Sequence, residues 1–181
     1  MSLNEESCWH TSNVTNLSKV IVDKEDQKTG IYALKHVMTG KFLTAYISAT
    51  ADRHYVLSTD GYTARTDEKG NHFSGLWYLD ENLLDEHKPQ LLVASFSPKN
   101  DELDYSCASY NFYGNSVGVD DCVFDRPDVL FQRFIIDRDQ TNSSVVTIIG
   151  RTRTECFGLS EGDTKALSCD LPEAKWLLYT E

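Results

Sequence analysis

Trp77-Tyr78-Leu79, Phe134-Ile135-Ile136 and Trp176-Leu177-Leu178 are three short aromatic-led stretches, each preceded by a series of strand-like segments. A degenerate threefold repeat ending in an aromatic strand marks a chain that folds one small unit three times around a shared core. That architecture is ordinarily a display scaffold for binding loops.

The segments between the anchors fill in the three units. Ile31 to Val37 reads as a strand, Thr39-Gly40-Lys41 as a hairpin turn and Phe42 to Tyr46 as its partner. Tyr55 to Ser58 is a third strand, ended by Asp60-Gly61, and the Trp77 stretch is a fourth. A second set takes Leu91 to Ala94, Tyr105 to Ala108, Val117 to Val119 with Cys122 to Phe124, and Phe131 to Ile136. The third takes Val145 to Ile149, Cys156 to Leu159, Ala166 to Cys169, and Trp176 to Tyr179. Only Leu79 to Glu86 carries a faint helical period, one that strand pairing can override.

About twelve short strands in three groups of four make the chain all-β. Many short strands suit a β-sandwich too, but the threefold order of the anchors favours a single β-trefoil. In that fold each unit gives two strands to a barrel and two to a hairpin cap, and three copies share one core. Residues 1–28 form a polar N-terminal segment with one candidate strand at Val20-Ile21-Val22. Residues 29–181 form the trefoil, with repeats near 29–88, 89–140 and 141–181. The units shrink from about 46 residues (Ile31 to Trp77) to about 30 (Val146 to Trp176), and the excess is assigned to loops.

The 181 residues are 40% hydrophobic and 11% aromatic and suit one domain with its own core. A net charge of −11 argues against nucleic acid and anionic membranes as partners. No apolar run approaches a membrane span, and no signal-peptide pattern opens the chain. Cys8, Cys107, Cys122, Cys156 and Cys169 are an odd set without a CxxC pair, which reads as reduced, buried thiols in a cytoplasmic protein. The alternative location is secreted, with a leader removed. It draws on the sequons Asn13-Val14-Thr15, Asn16-Leu17-Ser18 and Asn142-Ser143-Ser144.

Gly40 to Tyr46 ("GKFLTAY") resembles the glycine-lysine-aromatic-leucine hairpin strand of the fascin-like, actin-crosslinking branch of β-trefoils. Cys156 to Gly162, Leu167-Ser168-Cys169 and Ala174-Lys175-Trp176 resemble the run that closes one of its domains, and "LWYLDE" and "QRFIID" its intermediate closing strands. The resemblance implies a protein-binding module with actin as a candidate partner. Actin is acidic, so this acidic chain would need a local basic site, for which Lys35, Lys41, Arg53 and Arg65 are the candidates.

Gln132-Arg133-Phe134 resembles a degraded Gln-x-Trp element of ricin-type lectins, and Ala174-Lys175-Trp176 keeps its Trp. Those lectins hold sugar with an Asp after the second strand's leucine, where this chain has Thr44, Ala108 and Leu159. The lectin reading therefore rests on a non-standard site of loop aromatics and amides, around Tyr110, Tyr113, Asn115 and Asp120. A third resemblance, of Gly30 to Leu34 to the opening strand of trefoil protease inhibitors, implies inhibition through one exposed rigid loop.

Catalytic and metal motifs give little. Gly158-Leu159-Ser160-Glu161-Gly162 fits the G-x-S-x-G nucleophile elbow, but that elbow needs a following helix and a later histidine, and the last histidine is His87. His10, His36, His54, His72 and His87 never stand at metal-ligand spacing. Asp120-Asp121 with Asp125, and Asp101-Glu102 with Asp104, are acidic clusters that match no EF-hand loop and read as solvated turns. No enzyme, cofactor or metal site is expected.

Overall fold

The computed structural model describes residues 29–50, 54–96, 106–110, 117–126, 130–150 and 154–180. Among them run fourteen strands: β1 (Thr29–His36), β2 (Phe42–Ile47), β3 (His54–Thr59), β4 (Arg65–Thr66), β5 (His72–Ser74), β6 (Leu76–Asp80), β7 (Val93–Ala94), β8 (Ser106–Tyr110), β9 (Val117–Asp121), β10 (Ile135–Arg138), β11 (Val145–Ile149), β12 (Glu155–Ser160), β13 (Asp163–Ser168) and β14 (Trp176–Tyr179). A short helix α1 (Glu81–Asp85) and 3-10 turns at Leu130–Gln132 and Pro172–Ala174 join them.

Six strands close a ring. β1 pairs antiparallel with both β14 and β6, β6 with β7, β10 with β11, and β11 with β14. The remaining gap is closed by Gln90 and Phe134, which exchange two backbone hydrogen bonds of 2.8 Å. The hairpins β2–β3, β8–β9 and β12–β13 stand off this barrel, one per repeat. This is the single β-trefoil the aromatic anchors predict.

The anchors fill its axis. Trp77, Phe134 and Trp176 are completely buried in one cluster with Leu34, Leu43, Ile136, Ile148 and Phe157. A buried indole N–H needs an acceptor. Trp77 Nε1 donates to the Leu43 carbonyl (3.0 Å) and Trp176 Nε1 to the Phe157 carbonyl (2.8 Å), each on the second strand of its own repeat. The middle repeat has Phe134, which has no donor and packs on the Phe157 ring at 4.8 Å.

Three details differ from the sequence reading. The extra length of the first repeat is a further hairpin, β4–β5, whose turn is built on Asp67 accepting from the backbone N–H of Lys69 and Asn71 and from Asn71 Nδ2. Those bonds to the ionised carboxylate hold it below the usual carboxylate range. Cys122 to Phe124 forms no strand, and Phe131 to Gln132 lies in a 3-10 turn. The faint helical period does become α1, one turn capped by the Asp80 side chain accepting from Asn82 N–H at 3.0 Å. The candidate strand at residues 20–22 lies outside the described residues.

The cysteines correct the expectation of reduced thiols. Cys107 is bonded to Cys122 and Cys156 to Cys169. Sequence spacing concealed the pairing, but the trefoil explains it. Cys107 faces Asp120 across β8–β9 and Cys156 faces Leu167 across β12–β13, and in each hairpin the partner cysteine comes two residues beyond the facing residue. The two bridges occupy equivalent places in successive repeats. In the first repeat the corresponding position on β2 is Phe42, facing Thr59, and it packs on Tyr62 at 4.9 Å instead.

Ser160 ends β12 and leads into a two-residue hairpin, Glu161-Gly162, with φ of 54° and 84°. Positive φ at both positions is the primed turn that matches strand twist. The G-x-S-x-G run is therefore strand-turn-strand, without the helix a nucleophile elbow requires. Gly158 serves packing: a Cβ there would lie 2.6 Å from the Glu173 carbonyl oxygen.

Candidate functional site

β2 alternates. Leu43, Ala45 and Ile47 share one face and Phe42, Thr44 and Tyr46 the other; Leu43 and Ala45 join the central core cluster, and of the six only Tyr46 is not buried. Residues opposed across a sheet share a face, so the pairings of Tyr46 define a row. Tyr46 faces Tyr55 on β3 and Phe73 on β5, and Phe73 faces Arg65 on β4. The Tyr46 and Tyr55 ring centroids are 4.6 Å apart, and those of Tyr46 and Phe73 are 4.9 Å apart with rings edge to face. The Arg65 guanidinium lies over the Phe73 ring, 4.5 Å from its centroid.

This row faces solvent. Tyr55 is 42% exposed, Tyr46 and Phe73 are half-buried, and Arg65 is exposed. Beyond Tyr55 the next residue in the row is Gly118 on β9, which puts no side chain against the ring. Asp120, two positions along β9 on the same face, is exposed and is the diagonal neighbour of Tyr55, about 7–8 Å away. The arrangement is a ledge of three rings with a guanidinium at one end and a carboxylate at the other.

A second aromatic group covers the other end of the outer face of β2. Phe42, Tyr62 and Tyr179 have centroids 4.9, 5.6 and 6.1 Å apart, and Lys35 Nζ lies 5.7 Å from the Phe42 centroid. Tyr179 is 43% exposed, while Phe42 is buried beneath the group.

The residues singled out from sequence fall in different places. Tyr113, Asn115 and Arg53 lie outside the described residues. Tyr110 faces Val117 on the core side of its hairpin, stacks near Phe157 and donates to Glu155 Oε2 at 3.1 Å. Asp120 is on the opposite face, so the structure does not bring Tyr110 and Asp120 together. Lys35 and Lys41 flank the β1–β2 turn. Arg65 belongs to the Tyr46 row, four residues along β2 from the Phe42 row of Lys35, about 13 Å away. The Gln-x-Trp-like Gln132 is buried and structural. Its Oε1 accepts from Val123 N–H, and its Nε2 donates to Ser109 Oγ and the Asp121 carbonyl.

Tyr46, Tyr55 and Phe73 escaped the sequence reading because each looks like an ordinary strand aromatic. The available signal was period-two alternation: it puts Tyr46 on the face opposite Leu43 and Ala45, the two β2 residues of the central core cluster.

Among the described residues no group of three or more His, Cys, Asp or Glu side chains is placed to hold a metal ion. No described helix is long and apolar enough to cross a membrane.

No family model matches the chain, and no curated protein does. Solved structures do. The chain is similar to the BEL β-trefoil in an apo crystal form, at 10% identity and a TM-score of 0.51, over 82% of this chain and 90% of that one. SeviL bound to asialo-GM1 saccharide matches at 12% identity and a TM-score of 0.49, covering 84% of this chain and 98% of that one. A designed threefold-symmetric protein, ThreeFoil, matches at 11% identity and a TM-score of 0.49, over 83% of this chain and 99% of that one.

Proposed function

We propose that this β-trefoil is a non-catalytic carbohydrate-binding module whose sugar site is the Tyr55–Tyr46–Phe73–Arg65 row. The observation that carries the reading is the exposed cross-strand ledge of rings with polar groups at both ends. A sugar presents an apolar C–H face ringed by hydroxyls. An aromatic shelf desolvates the face, and a carboxylate or guanidinium at the rim takes the hydroxyls.

An open ledge binds one sugar weakly. A hexose has about a dozen non-hydrogen atoms, and at ~0.3 kcal/mol per atom the gain is ~4 kcal/mol, a millimolar Kd. Useful affinity comes from several sugar units along the row.

The two disulfides support the secreted alternative, since such bonds persist in oxidising compartments, where glycans are abundant. The fascin-like reading, with actin as partner, has less support. It needs a concentrated cationic surface, and Lys35 and Arg65 stand apart on different rows.

A glycan array followed by calorimetry tests the proposal. Covering roughly 50 Å² of the Tyr55 ring at ~25 cal/mol/Å² contributes ~1.3 kcal/mol, so Tyr55→Ala should weaken binding about tenfold. A folded protein that binds no glycan on the array, or hits that Tyr55→Ala and Tyr46→Ala leave untouched, would overturn it.

A further inference from the structure

We infer that the ledge selects oligosaccharides carrying an anionic group, held at the Arg65 end. This rests on the carbohydrate reading and adds the ligand's charge and polarity to it. Arg65 is an exposed cation in a chain of net charge −11, and among the described residues no carboxylate is paired with it. The nearest acid along its strand, Asp67, has its oxygens committed to the amides of its own turn. The guanidinium lies over Phe73, 4.5 Å from the ring centroid, and a guanidinium held on a ring face still has N–H donors to offer another partner. Those donors match the two oxygens of a carboxylate or of a sulfate ester.

The row also fixes direction and length. Tyr55, Tyr46, Phe73 and Arg65 sit on four successive strands, so Arg65 stands three strand spacings, about 14 Å, from Tyr55. Phe73 gives one face to Arg65, which leaves Tyr46 and the more exposed Tyr55 as the stacking rings. Asp120 beside Tyr55 repels an anion at that end and accepts hydroxyl hydrogens. The ligand is therefore longer than one sugar ring. Its hydroxyl-rich unit lies on Tyr55 and its charged unit on Arg65.

The experiment compares one neutral oligosaccharide with the same oligosaccharide bearing a carboxylate and with it bearing a sulfate ester. Wild type, Arg65→Gln and Tyr55→Ala are titrated with each at low and at physiological salt, and circular dichroism verifies that each variant is folded. Wild type should bind at least one charged form about tenfold tighter than the neutral parent, with the ratio shrinking as salt rises. The preferred arm identifies the anion. Arg65→Gln should bring charged and neutral ligands to the same affinity, whereas Tyr55→Ala should weaken all three and keep the ratio. Equal binding of neutral and charged ligands by wild type, or a preference that survives in Arg65→Gln, would overturn the inference while leaving the carbohydrate reading standing. Binding of none of the three removes both.

Discussion

Replacing Trp176 by Phe probes the feature that organises the barrel. The substitution keeps a large ring at the site and removes two things: the indole N–H that donates 2.8 Å to the Phe157 carbonyl, and the second ring of a completely buried side chain. Losing a bond at a buried carbonyl costs about 1–3 kcal/mol. The void left by the smaller ring, at least a methyl group in size, adds ~1 kcal/mol. The expected loss is about 2–4 kcal/mol, short of the roughly 3–5 kcal/mol of Trp176→Ala. For a chain of this size each kcal/mol lowers Tm by about 2–4 °C, so ~3 kcal/mol corresponds to about 6–12 °C. Urea denaturation followed by far-UV circular dichroism reads the change without relying on the fluorophore being mutated. Trp77→Phe breaks the corresponding bond to Leu43 and should cost a similar amount. Glycan affinity of either folded variant should match wild type. A Trp176→Phe protein within about 0.5 kcal/mol of wild type would refute the argument, because the buried bond and the packing would then carry no weight.

Replacing Cys156 and Cys169 together by Ala opens a loop with a sequence separation of 13, and loop-closure entropy sets the cost at about 3 kcal/mol, read as a lower urea midpoint. Glu161 adopts a left-handed φ of 54° in the β12–β13 turn, so Glu161→Asn should raise stability by ~0.5–1 kcal/mol, and a lower Tm would contradict the primed-turn assignment. Burial, and then its hydrogen bond to Glu81, push the Tyr32 phenol up to about 12 from the ordinary tyrosine value of 10.0. In the unfolded chain Tyr32 ionises near pH 10 while in the folded protein it stays neutral. Its contribution is thus complete below pH 10 and is lost as pH rises toward 12. Tyr32→Phe should flatten that alkaline decline in a pH series of urea midpoints, and an unchanged decline would place its cause elsewhere.

The barrel was legible because its signal is redundant. Trp77, Phe134 and Trp176 recur at repeat ends, and strand edges at Gly40, Gly61 and Gly162 punctuate the hairpins between them. The β4–β5 hairpin was not legible, since Arg65–Thr66 is two residues long and its turn hides in a charged run around Asp67. The disulfides were invisible for a related reason: Cys107 meets Cys122 because the β8–β9 register sets Cys107 opposite Asp120, two residues before Cys122, and register belongs to the folded sheet. The ledge is legible only after the fold is known. Tyr46, Tyr55, Phe73 and Arg65 are scattered in sequence, and three cross-strand pairings bring them into line. Asp120 and Arg65 were named from sequence for different purposes, and both border the ledge, at opposite ends.

The antiparallel pairing of Ala33 with Tyr179 has a consequence for how the protein is made. β1 is among the first strands of the domain to leave the ribosome, and its partner β14 is the last. Until synthesis reaches Trp176, the edge of β1 that pairs with β14 lacks that partner. An unpaired strand edge is a template for pairing with other chains, and contacts this distant in sequence form late and slowly. The nascent chain therefore passes through a long interval in which this edge of β1 is open to pairing with other chains. Its yield should depend on chaperone supply and on translation speed far more than the stability of the finished barrel implies.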